Sequence, residues 1–163
     1  MKIIRLTLMI LAAYILSACH HLDDDRIPPY PVNIAFHSVA DWNFYGVGGA
    51  MDYKYFILQD RVPSGFPYIA SSATGFGGVL LVCDVNGAPA AYDLACPVEC
   101  RNNVRVRIDD ESLTAVCPVC HSTYDVFTLG GHPLSGTAAE RGYGLRRYVV
   151  SPGYASDYMI IHN

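Results

Sequence analysis

Cys96-Pro97-Val98-Glu99-Cys100 and, 16 residues further on, Cys117-Pro118-Val119-Cys120-His121 decide how this chain is read. Each stretch carries a pair of soft sulfur donors. Two such loops can close a four-coordinate site around zinc or iron. They can meet only if the strands that carry them are neighbours, so the spacing predicts two hairpin loops at one end of a single β domain.

Outward from these loops the composition favours strands. The chain has 163 residues with 12 tyrosines, 14 glycines and 10 prolines, and no apolar run keeps helical spacing for long. Short apolar segments bounded by Gly, Pro, Asn and Asp predict strands at 32–36, 79–83, 104–108, 148–150 and 158–161. In 104–108, Arg105 and Arg107 alternate with Val104, Val106 and Ile108, which sets one face in water and the other on the core. The fold class expected is all-β.

The run after the second cysteine pair, Ser122-Thr123-Tyr124-Asp125 and then Gly136-Thr137-Ala138, makes the pattern more specific. It resembles the second cluster loop of a Rieske iron–sulfur domain, whose loops read C-x-H and C-P-x-H and are followed by a small residue, an aromatic, Asp and G-P-A. Cys96 and Cys117 stand at the two family cysteines, and Ser122, Tyr124 and Asp125 at the Ser, aromatic and Asp. Val98 and Cys120 stand where the family has histidines, and Thr137 replaces its proline. The resemblance covers 79–161, about half the chain, and implies a Rieske-like antiparallel β-sandwich. It also implies a 2Fe-2S cluster held by Cys96, Cys100, Cys117 and Cys120, with the Ser122 and Tyr124 hydroxyls donating to sulfur. His121, beside Cys120, is the alternate ligand. Two imidazoles raise the potential of a Rieske centre, so four thiolates lower it. The same sulfurs equally suit one zinc ion, and in an oxidising compartment they suit two disulfides.

The N-terminal stretch bears on compartment. Met1 to Arg5 is a short basic start, Leu6 to Ile15 an apolar core too short to span a bilayer, and Leu16-Ser17-Ala18-Cys19 resembles the lipobox of bacterial lipoproteins. That resemblance implies a leader at 1–18, lipidation of Cys19, a tether at 19–31 and the β domain at 32–163. Multiple acyl chains on one residue give stable membrane anchoring. His20 after the cysteine disfavours inner-membrane retention, and Asp23-Asp24-Asp25 resembles export tags, so the outer membrane of the cell envelope is the expected location. Loss of Lys2 and Arg5 with the leader leaves 9 of the 11 basic residues against 15 acidic ones, a net charge of −6. That balance argues against nucleic acid as a partner. Membrane lipid and a redox protein are the expected partners.

Other features read as structural. Gly46-Val47-Gly48-Gly49 and Gly75-Phe76-Gly77-Gly78 lack the strand-to-helix context of phosphate loops and read as turns. Cys83 sits in an apolar strand as a buried thiol outside the site. No Ser-His-Asp, H-E-x-x-H or paired-carboxylate constellation supports hydrolase chemistry. Two functions follow: a membrane-tethered electron-transfer module, or a non-redox envelope lipoprotein whose scaffold is stapled by zinc or disulfides and binds a partner.

Overall fold

The computed structural model describes residues 22–154 and 157–163, so the leader and Cys19 lie outside the described residues. The fold is all-β, as expected. A seven-stranded sheet has the order β2 (Tyr53–Phe56), β4 (Val79–Cys83), β5 (Pro89–Asp93), β10 (Arg147–Pro152), β11 (Met159–His162), β1 (Val32–Phe36) and β3 (Ala73–Thr74). A four-stranded sheet has the order β6 (Arg107–Asp109), β7 (Thr114–Val116), β8 (Thr123–Asp125) and β9 (His132–Ser135). Every pairing between these strands is antiparallel. Among the described residues no helix is long and apolar enough to cross a membrane.

β4 explains how the two cores arise from one strand. All five of its residues are buried, because side chains alternate across a sheet whose two faces are both covered. Leu80 and Val82 join Tyr92, Leu94, Ala115, Tyr124 and Val126 in a core shared with the small sheet. Val79, Leu81 and Cys83 face the other way, into a core with Ile34, Phe36, Phe56, Phe66 and Ile161. There the rings of Phe36, Phe56 and Phe66 meet edge to face at 5.2–5.7 Å, the arrangement that aromatic quadrupoles favour. Cys83 lies in this second core, away from the cysteine loops, and burial pushes its thiol up.

Three local features depart from the sequence expectations. The predicted strand at 104–108 divides between partners: Val106 N–H donates to Leu94 O (2.8 Å) and Cys96 N–H to Val104 O (2.9 Å), after which 107–109 pairs with β7. Arginine still faces outward and valine inward, so the alternation is real although the strand changes sheets. Among the described residues there are also two short helices, α1 (Val39–Tyr45) and α2 (Gly136–Arg141). α1 begins with a capping box, Asp41 N–H donating to Ser38 Oγ and Ser38 N–H to Asp41 Oδ2, and its Trp42 ring packs on Phe36. Lastly, the tether expected over 19–31 is not free from Asp23 onward. Asp23 bridges Tyr143 in parallel, and Ile27 is fully buried.

The Gly75–Gly78 turn leads into the cysteine loops through Asp93. This fully buried carboxylate accepts N–H bonds from Phe76 (2.9 Å), Gly77 (3.0 Å) and Ala95 (2.7 Å), and the Tyr148 hydroxyl donates to it at 2.5 Å. The turn, β10 and the approach to Cys96 are thereby locked together. A Cβ on Gly77 would lie 2.5 Å from Ala95 N and 2.8 Å from Asp93 Oδ1, so no side chain fits. Gly77→Ala is therefore expected to destabilise the protein by roughly 2–3 kcal/mol, read as a lower urea midpoint with an unchanged slope.

Candidate metal centre

Each cysteine stretch folds into the same turn. Cys100 N–H donates to Cys96 O (2.8 Å) and His121 N–H to Cys117 O (3.1 Å), and the residue that closes each turn is left-handed, with φ of 49° at Cys100 and 56° at His121. The two Cys-Pro-Val turns are thus equivalent position by position. The first connects β5 to β6 and the second connects β7 to β8. Cys117 N–H donates to Ser122 O (3.0 Å), which closes the second as a hairpin.

This register decides which sulfurs meet. The first residues of both turns, Cys96 and Cys117, are completely buried at the end of the core shared by the two sheets. Cys120, the fourth residue of its turn, is half-buried and joins them, so that the three sulfurs lie within 4.8 Å of one another. Cys96 Sγ and Cys120 Sγ are 3.6 Å apart. In a tetrahedral site with bonds near 2.3 Å, sulfurs sit about 3.8 Å apart. All described cysteines are free thiols.

The remaining expected ligands stand elsewhere. Cys100 occupies the fifth, left-handed position, and its thiol turns to Pro97 O at 3.1 Å instead of joining the three sulfurs. His121 occupies the equivalent position in the second turn, and its exposed side chain is likewise outside the group. In the first turn the position equivalent to Cys120 belongs to Glu99, which pairs with Arg101 at 3.0 Å. The Cys-Pro-Val that both turns share carries this signal in the sequence, since aligning the turns sets Cys120 against Glu99 and Cys100 against His121.

Ser122 and Tyr124 both touch sulfur. The Tyr124 hydroxyl, on a fully buried ring, is 3.5 Å from Cys96 Sγ and donates to that sulfur when it is a thiolate. Ser122 Oγ lies 3.3 Å from Cys120 Sγ and accepts Ala138 N–H at 3.1 Å, tying the second turn to α2. The backbone makes room for this contact at Gly136, where φ is 70° and a Cβ would lie 2.9 Å from Ser122 Oγ. Asp125 shapes the following turn by accepting Phe127 N–H (3.0 Å) and Thr128 N–H (2.8 Å).

These surroundings divide the thiols electrostatically. Burial pushes Cys96 up to about 12, against the Tyr124 hydroxyl and the amides of Glu99 and Val98, which favour its thiolate. Burial acts on Cys120 in the same direction, yet hydrogen bonds from the Ser122 hydroxyl and amide and from Cys117 and Cys96 hold it below the ordinary thiol range. The metal-free pocket thus favours a thiolate at Cys120 and opposes one at Cys96, and a bound cation would supply the stabilisation that burial removes from the Cys96 sulfur.

Comparison with protein-family models, curated proteins and solved structures finds no match to this chain.

Because the thiolate is the nucleophile, iodoacetamide at neutral pH should label Cys120 of the metal-free protein well before Cys96 or Cys83, as peptide mass mapping would show. Ser122→Ala should slow that labelling several-fold. It should also lower stability by about 1–3 kcal/mol, because the buried Ala138 N–H loses its acceptor.

Proposed function

We propose that this chain is a lipid-anchored metalloprotein of the cell envelope, whose cysteine turns hold an iron–sulfur centre of Rieske-like placement that carries single electrons to a partner protein. The observation that carries the reading is the joint placement of three buried or half-buried sulfurs with the Tyr124 and Ser122 hydroxyl oxygens 3.5 and 3.3 Å from two of them. A staple alone needs the sulfurs. Hydroxyls that touch ligand sulfur are what tunes a potential upward and orients the ligands. Cys96, Cys117 and Cys120 supply three donors, and Cys100 supplies the fourth by turning its thiol away from Pro97 O. When bound, a 2Fe-2S cluster provides one-electron chemistry, and with thiolates in place of both family histidines it works at a lower potential than a Rieske centre. Anchoring through Cys19 keeps the domain at the membrane, with the outer membrane the favoured location.

A second reading has its own support. Three sulfurs gathered within 4.8 Å, with Cys96 and Cys120 at 3.6 Å, close to one tetrahedral edge, suit a single zinc or iron ion held as a structural staple.

Anaerobic purification separates the two. The electron-transfer reading expects coloured protein with iron and acid-labile sulfide in equal amounts and a reversible one-electron potential. Zinc without visible absorption would replace it with the staple. Cys117→Ser should lose metal and stability together, by about 3 kcal/mol or more, while Cys83→Ser keeps its metal content.

A further inference from the structure

We infer that the segment preceding β1 is a working part of the metal centre and that Arg26 is the residue that positions the first cysteine turn. The inference rests on the reading of Cys96, Cys117 and Cys120 as metal ligands, and it adds a residue outside both cysteine turns.

In the sequence, Asp23-Asp24-Asp25-Arg26-Ile27 looks like a solvated charged linker. In the fold it is a strap fastened on both sides of Arg26. On one side, Asp23 N–H donates to Gly142 O (2.8 Å) and Gly144 N–H donates to Asp23 O (2.9 Å). On the other, Arg146 Nε donates to Ile27 O (2.7 Å) and the Ile27 side chain is fully buried, while Arg146 Nη2 reaches back to donate to Asp25 Oδ1 (2.9 Å). The backbone that carries Arg26 is thus fixed before its side chain makes any contact.

The guanidinium then reaches the first cysteine turn. Its Nε donates to Pro97 O at 3.0 Å and its Nη2 to Cys100 Sγ at 3.6 Å. Its flat face lies over the Tyr143 ring, 4.1 Å from the centroid. Pro97 O is the carbonyl that also accepts the Cys100 thiol, so when that thiol swings onto the metal the guanidinium still holds the backbone of the turn through Pro97 O. A planar fork that stacks on an aromatic while donating along two directions is a property of arginine that lysine lacks. The result is a cation held against the wall of a sulfur-only site, on a turn whose closing residue is a left-handed cysteine. Without it, Pro97 O loses a charge-assisted donor and the turn regains freedom that metal binding must then remove.

The test uses Co2+ as the metal probe on the full mature chain, comparing wild type with Arg26→Gln and Arg26→Lys. Co2+ affinity, the sulfur-to-cobalt absorption band and the alkylation rate of Cys100 in metal-free protein are read together. Loss of the guanidinium is expected to weaken Co2+ binding about tenfold or more and to slow Cys100 alkylation several-fold, because the sulfur loses its cationic hydrogen-bond donor, with thermal melting showing that the domain stays folded. Lysine should restore less than half of either effect. If Arg26→Gln does not fold, Tyr143→Leu, which removes only the ring beneath the guanidinium, should shift both readouts the same way by a smaller factor. Unchanged affinity and alkylation in a folded variant, or full rescue by lysine, would overturn the assignment. Wild type that binds no Co2+ would defeat the metal reading instead, and the alkylation rates would still decide whether Arg26 fixes the turn.

Discussion

Two thiols packed at zero exposure at the end of a hydrophobic core hold the cysteine turns in place. Cys96 and Cys117 share their core with Leu80, Val82 and Tyr92 of the large sheet and Ala115 and Tyr124 of the small one. The turns that follow these cysteines therefore cannot drift apart without opening the core between the sheets. Fully burying an aliphatic or aromatic side chain contributes roughly 1.5–3 kcal/mol, so the placement of the sulfurs is underwritten by the same packing that joins the sheets. Asp93 reinforces this arrangement by tying the Gly75–Gly78 turn and Tyr148 to the residue before Cys96. A site on such a scaffold is preorganised, which is what both a metal ion and a cluster require of thiols that must lose their protons and much of their freedom.

Much of this was legible in the residues. β1 and β4 have the bounds expected from their apolar runs, and the two cysteine stretches meet at one end of the domain. The contacts of Ser122 and Tyr124 with sulfur were implied by a motif and appear as distances of 3.3 and 3.5 Å. Which sulfurs stand together was legible only in part. Counting cysteines gives four candidates, whereas the left-handed backbone that closes each turn decides that Cys120 points inward and Cys100 does not. A property of φ at one position is not written in the spacing of the sulfurs.

The strap was hidden for a different reason. A charged run reads as solvated linker because its residues favour water one by one. What docks it here is a single buried isoleucine and backbone bonds to residues more than a hundred positions away. The helices escaped through brevity, for neither α1 nor α2 is long enough to show sustained periodicity. Ser38 and Asp41, with the spacing of a capping box, were nonetheless a readable start signal for α1.

The cysteine turns are held to share one metal centre. Anomalous diffraction from anaerobically grown crystals, collected on either side of the iron and zinc absorption edges, tests it most directly. Anomalous scattering is expected between the turns with the sulfurs of Cys96, Cys117 and Cys120 each about 2.3 Å from metal, two iron positions at the iron edge for the electron-transfer centre and one zinc position at the zinc edge for a staple. Continuous density between two of these sulfurs at about 2.05 Å, with no anomalous scatterer beside them, would contradict it.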